Sequence, residues 1–110
     1  MKAPFEELAT LDRLIHEPAR LALLTALTSC ESADFLYLQR LTGLSKGNLS
    51  SHLSKLEEAG LVTVEKQFKG KTPLTRIAVT DKGREAVEQH WRQLEQLRSK
   101  AKHWVPQGTE

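Results

Sequence analysis

The sequence predicts a mainly α chain with one small β-hairpin, an α+β fold. Three observations carry that prediction. Apolar residues recur at spacings of three and four through most of the 110 positions. One region alone, Val62 to Val79, changes to alternation, with Gly70 and Pro73 between its two halves. Ser, Thr, Gly and Pro fall where helices should begin and end. A hydrophobic content of 39% fits one soluble domain over 1–110 with a modest core. No internal repeat, low-complexity tract or linker divides it.

Leu8, Leu11, Leu14 and Ile15 predict a short amphipathic helix before His16. Pro18 suits the first turn of a second helix, where a missing N–H costs little, and Leu21, Leu24 and Leu27 form its apolar stripe. Ser29 to Asp34 reads as a loop. A third helix covers about 36–42 with Leu38 and Leu41 inward, and Gly43 tolerates the positive φ that ends it. Ser45 is a good N-cap for a fourth helix, about 45–59, and Leu44 can staple onto Leu49. Leu49, Leu53 and Leu56 mark that helix's buried face; Gly60 closes it, with Leu61 folding back on Leu56. The hairpin, about 62–79, has the basic tip "KGKTP". Thr80 or Asp81 opens a long last helix, about 81–102.

The net charge is only +2, so composition alone does not announce nucleic acid. Its distribution says more. Residues 1–34 hold six acids, whereas Phe35 to Leu56 holds none, and Phe35 to Thr80 carries seven basic against three acidic residues. The outer face of the fourth helix presents Gly47, Asn48, Ser51, Ser54 and Lys55, with Lys46 and Ser50 at its edges. A merely solvated face favours Glu, Lys, Gln and Arg, because Ser, Asn and Gly each cost a few tenths to about 1 kcal/mol relative to Ala. Short polar side chains let a helix approach another surface closely. Asn can pair with a base edge and Ser with phosphate, and the missing carboxylates avoid repulsion. The helix N-terminus adds partial positive charge and free N–H groups. An ordinary surface helix of unusual composition is the plain alternative.

The third helix, the Gly43 turn and the fourth helix form a helix-turn-helix, and the basic hairpin supplies a wing. On "HEPARLALLTAL" (16–27), "FLYLQRLTGLSKGNLSSHLSKLEEAGLV" (35–62), the hairpin to Val79 and "VTDKGREAV" (79–87), the chain resembles small winged helix-turn-helix regulators of the ArsR and MarR families. The resemblance implies a homodimer that binds double-stranded DNA at a pseudo-palindromic operator. It assigns base reading to Ser45, Lys46, Gly47, Asn48, Ser50 and Ser51 and wing contact to Lys69 and Lys71. Arg40, Lys55 and Arg76 complete the DNA-facing set. Metal-sensing ArsR members often carry a Cys-x-Cys pair before the recognition helix, which Phe35–Thr42 lacks. No metal site and no cofactor is therefore expected, and Cys30 reads as a small buried or loop residue. His52 reads as a packing or phosphate-contacting residue, and His90 and His103 lie too far apart to share a metal.

No Ser/His/Asp grouping or Gly-rich phosphate loop suggests an enzyme. The N-terminus lacks the order of a secretory signal, and no apolar run approaches a membrane span, so a cytoplasmic location without membrane contact is expected. Two other readings stay open: a winged helix used only as a protein-interaction module, and a metal- or thiol-responsive sensor. Along the last helix Val87, His90, Leu94, Leu97, Ala101 and Trp104 recur at three and four, with Trp91 beside them. This seam predicts a dimer interface, assisted by Leu8, Leu11 and Ile15 of the first helix. Packing of the seam on the chain's own N-terminal segment is the alternative.

Overall fold

The computed structural model describes residues 5–9 and 11–105. Its elements run α1 (Glu6–Ala9), α2 (Pro18–Leu27), β1 (Ala33–Asp34), α3 (Phe35–Thr42), α4 (Lys46–Glu58), β2 (Val62–Lys69), β3 (Thr72–Val79) and α5 (Asp81–His103). The three strands form one antiparallel sheet in the order β1-β3-β2. Within the hairpin Val62 pairs with Val79 and Lys69 with Thr72, which leaves Gly70 and Lys71 as the turn. Among the described residues no helix is long and apolar enough to cross a membrane.

Local chemistry sets the helix ends as expected at most junctions. Ser45 accepts the Asn48 N–H at 3.1 Å, Asp34 accepts the Tyr37 N–H at 2.7 Å, and Thr80 accepts the Gly83 N–H at 2.9 Å. Gly43 and Gly60 have φ of 70° and 78°, the left-handed turn that frees a helix end. At Gly60 the N–H groups of Leu61 and Gly60 reach back to the carbonyls of Leu56 and Glu57, both at 2.9 Å. This is the predicted closure of the fourth helix.

Three local expectations are corrected. The helix described ahead of His16 is Glu6–Ala9 rather than one reaching Ile15, and the chain turns near residue 12, where Asp12 accepts the Leu14 N–H at 2.9 Å. Leu11 and Ile15 are buried nonetheless, whereas the Leu8 side chain lies outside the described residues. In α2 the stripe rotates: Leu23 joins Leu24 and Leu27 in the core, and Leu21 is half-buried. In α3 Leu38 is buried and Phe35 packs against the core, whereas Leu41 is 52% exposed. The expected loop 29–34 also contains β1, whose Ala33 pairs with Ile77.

The core joins Leu23, Leu24 and Leu27 of α2, Leu38 of α3, Leu49, Leu53 and Leu56 of α4, Ile77 of β3 and Val87 of α5. Helix α5 passes so close to the start of β2 that a Cβ on Gly83 would fall on the Leu61 carbonyl oxygen. Further along α5, Val87, His90 and Leu97 are buried within this one chain. Val87 belongs to the core and His90 meets His16 of the N-terminal segment, so these residues are covered without a partner. His16 Nδ1 lies 3.1 Å from His90 Nε2, Trp91 Nε1 donates to Thr25 Oγ1 at 3.0 Å, and Phe5 packs edge-on against Trp104 with centroids 5.3 Å apart. Leu94 is half-buried, while Trp91, Ala101 and Trp104 are exposed.

Two predictions follow from this packing. Gly83→Ala should lower the unfolding free energy by about 2 kcal/mol or more, because the obstructing atom is backbone and cannot move aside as a rotamer would; denaturant unfolding checks it. Burial, and then the neighbouring His16 charge, hold the His90 imidazole below its ordinary value of 6.5 against the opposing pull of Asp12. The folded state thus resists a proton that the unfolded chain accepts. Its contribution is complete above that ordinary value and is lost as pH falls below it. Urea unfolding between about pH 7.5 and about pH 5.5 should show wild type losing more stability than His90→Gln.

Candidate nucleic-acid interface

Helix α4 is divided lengthwise. Leu49, Leu53 and Leu56 lie in the core, while Lys46, Gly47, Asn48, Ser50, Ser51, Ser54 and Lys55 are all exposed. The Ser45 hydroxyl oxygen accepts one capping N–H, which leaves its O–H and one acceptor lone pair for a ligand. The first N–H groups of α4, at Lys46 and Gly47, precede the first intrahelical bond and point out of its positive end. Anions are favoured there. No large apolar side chain of α4 is exposed among the described residues.

The hairpin stands beside this face. Alternation along β2 turns Val62, Val64 and Lys66 toward α4, and a groove of about 610 Å³ between them is lined by Gln39, Lys46, Ser50, Ser54, Lys66 and Thr75 among others. Lys69 and Lys71 flank Gly70 at the exposed tip, and Gly70 takes φ of 65° to make the turn. Arg40 is exposed in the last turn of α3. Arg76 is placed differently from the rest of the predicted set. Its Nε and Nη2 donate to Ser32 Oγ at 3.0 and 2.8 Å, which ties β3 to the chain just before β1 and leaves Arg76 half-buried. Gln39, Ser54 and Lys66 were not among the predicted site residues. The period of two in β2 was signal enough for Lys66, since it shares a face with Val62 and Val64.

Behind the face, His52 is half-buried, with its Nδ1 3.0 Å from Arg20 Nη1 and 3.8 Å from Glu17 Oε2. Burial pushes the Glu17 carboxyl up. The N–H groups of Arg20 and Ala19, with the positive charge of Arg20 nearby, outweigh it, so Glu17 sits below the usual carboxylate value. Cys30 is half-buried, its Sγ 3.7 Å from the Ala26 carbonyl. Among the described residues no three His, Cys, Asp or Glu side chains gather as metal ligands.

Gly47 separates the needs of the face from those of the helix. A Cβ there would meet nothing within 4 Å, and its φ is not in the left-handed region. Gly47→Ala is therefore expected to raise stability by about 0.5–1 kcal/mol, read by thermal or denaturant unfolding. An unchanged or lower stability would mean that glycine serves the fold at this position.

A family model described as a winged helix DNA-binding domain matches residues 19–98. An uncharacterized protein of Methanocaldococcus jannaschii is 36% identical over 86 residues, covering 77% of this chain and 92% of that protein. A transcriptional regulator homologue from Pyrococcus horikoshii has a similar structure, with a TM-score of 0.80 at 30% identity over 86% of this chain and 95% of that one. A MarR-family transcriptional regulator from Silicibacter pomeroyi shares the fold, with a TM-score of 0.62 at 17% identity over 94% of this chain and 67% of that one. The chain belongs to the winged helix DNA-binding domain family, with MarR-family transcriptional regulators among its structural neighbours.

Proposed function

We propose that this protein is a sequence-specific, double-stranded DNA-binding transcriptional regulator that acts as a homodimeric repressor. The observation that carries the reading is the exposed, short-polar face of α4 over residues 46–55, free of acids up to Glu57 at the far end of the groove, beside a hairpin bearing Lys66, Lys69 and Lys71. Helix 45–59 enters the major groove, where Asn48 pairs with a base edge and the serines and free N–H groups hold phosphates. The 66–76 wing lies along the backbone or minor groove. Within that wing Lys66, Lys69 and Lys71 carry the charge, and Arg76 braces it through Ser32. Arg40 and Lys55 add charge at the margins. A protein held on its operator excludes the transcription machinery sterically, which accounts for repression without catalysis. The site of action is the cytoplasm, and no resident cofactor is required.

The dimer reading is supported by shape and exposure. The chain measures 70 × 26 × 21 Å with a radius of gyration of 17.7 Å, against about 13 Å for a compact chain of this length. The exposed large apolar side chains include Phe5, Trp91, Trp104 and Val105, on α5 or at the two ends of the described chain. The exposed part of the α5 seam, Trp91, Ala101 and Trp104, is the surface proposed for the partner, with half-buried Leu94 beside it. A two-fold axis there sets two recognition helices about one DNA turn, ~34 Å, apart. The interaction-module reading needs an apolar patch on the face of α4, and the exposed apolar residues of the DNA-binding half, Leu36, Tyr37, Leu41 and Phe68, lie on α3 and the hairpin instead.

Selection of bound duplexes from a random pool, followed by affinity measurements over a salt series, tests this function. Wild type should enrich a two-fold-symmetric site and bind more weakly as salt rises. Asn48→Ala should lose about 1–3 kcal/mol of preference at one step of each half-site. Lys69→Ala with Lys71→Ala should weaken all sequences alike and make the salt slope shallower. Ala101→Asp with Trp104→Asp should sediment as a monomer. Failure of wild type to enrich any duplex at low salt would overturn the reading.

A further inference from the structure

Arg20 is a charged side chain only 9% exposed, in the first turn of α2 and away from the proposed DNA face. All three of its guanidinium nitrogens are engaged. Nε donates to the Leu14 carbonyl at 2.6 Å, Nη2 to the Arg13 carbonyl at 3.3 Å, and Nη1 lies 3.0 Å from His52 Nδ1. Arginine has no acceptor, so His52 must accept at Nδ1, which fixes its tautomer. The Arg20 N–H in turn donates to Glu17 Oε2 at 2.8 Å, and the same oxygen lies 3.8 Å from His52 Nδ1. One residue before Glu17, His16 meets His90 of α5 at 3.1 Å. A continuous polar path thus runs from α5 through residues 13–20 to the inner flank of α4.

Burial of α2 does not need this charge. A well-packed apolar side chain is commonly as stabilising as a buried charged network, and often more so. What the guanidinium supplies is direction: a planar fork with three acceptors on two different segments leaves α4 little freedom to roll or slide against residues 13–14. Those residues lead directly to His16, which rests on α5. We propose that Arg20 is a positioning residue for DNA reading, fixing the attitude of α4 through His52, so that the angle at which the recognition helix meets DNA is set from the α5 end of the molecule. This rests on the DNA-binding dimer proposed above. In such a dimer α5 lies at the two-fold axis, so the path makes the relative placement of the two α4 helices, and hence the half-site spacing, depend on Arg20 and His52.

The test uses the full chain and the duplex that wild type enriches, together with duplexes whose half-sites are moved apart or together by a single base pair. Arg20→Met and His52→Leu keep bulk and remove the joint; His52→Gln keeps an acceptor for Arg20. Affinity, spacing preference and sedimentation are read for each. Arg20→Met and His52→Leu are expected to lose about fivefold to tenfold in affinity for the best-spaced duplex, to discriminate spacings less, and to remain dimers. Combining them should cost no more than either alone. His52→Gln should restore the spacing preference. Affinity for a random duplex should not change.

The proposal is overturned if folded, dimeric His52→Leu keeps wild-type affinity and spacing preference, or if specific and random duplexes weaken equally. Should Arg20→Met fail to fold, the two His52 variants decide the matter, because His52 is only half-buried on α4. Failure of wild type to enrich any duplex is read before any variant is made. That result removes the DNA-binding reading and this inference with it, whereas the outcomes above remove the inference alone.

Discussion

The fold turns on one junction, where the first turn of α5 lies against the backbone at Leu61. The Leu61 carbonyl accepts the Thr80 N–H at 3.0 Å, the Thr80 hydroxyl donates to the Gly60 carbonyl at 2.7 Å, and Gly83 brings the helix in without a side chain between. Three elements are fixed at once. Helix α4 ends at Glu58 and is closed by Gly60, β2 leaves at Val62 and α5 departs at Asp81, all close to the same few backbone groups. The reading helix, the wing and the long helix therefore share an origin. Movement of one relative to the others must break these hydrogen bonds and unpack Gly83 from the Leu61 backbone.

From that junction the demands on α4 diverge. Its inner stripe of Leu49, Leu53 and Leu56 is wholly committed to the core, so the helix does not depend on intrinsic propensity. Packing can then carry residues that propensity disfavours. Gly47, Asn48 and four serines between Ser45 and Ser54 are tolerated because burial on one side and caps at both ends hold the backbone helical. The outer face is released to be short, polar and free of acids. Such a face offers donors, acceptors and close approach, and little else.

The sequence made legible whatever is governed by neighbours along the chain. Ser45, Thr80, Gly43 and Gly60 announce helix ends because a cap bonds to a backbone group within three or four residues of itself. The hairpin was legible from its alternation, and with it the wing. The rest depended on contacts distant in sequence. Strand β1 is two residues long, too short for a pattern, and exists because Ala33 meets Ile77. The turn at Asp12, whose carboxylate accepts the Leu14 N–H, is a local signal present in the sequence but outweighed by the leucine spacing. Arg20 with His52, His16 with His90 and Arg76 with Ser32 join residues 32, 74 and 44 positions apart, and nothing periodic marks such pairs. Within the candidate site, the reading face was legible almost entire, whereas the bracing role of Arg76 was not.

The seam of α5 shows why periodicity cannot assign a partner. Spacing at three and four says that one side of a helix is to be buried; it does not say by what. Here Val87, His90 and Leu97 are covered within the chain, and so are Leu11 and Ile15 of the N-terminal segment. The apolar residues left exposed are Trp91 and, toward the C-terminal end of α5, Ala101, Trp104 and Val105, where Phe5 packs edge-on against the Trp104 ring. At 1.5 Å per residue, the 23 residues of α5 span about 34 Å, so this end is far from the core that the first turns help to build. A helix that long is a lever. Its near half is bonded to the DNA-binding half through Gly83, Trp91 and His90, and its far half offers the surface proposed for a partner. The helix thus joins the surface proposed for a partner to the segment through which Arg20 and His52 hold α4.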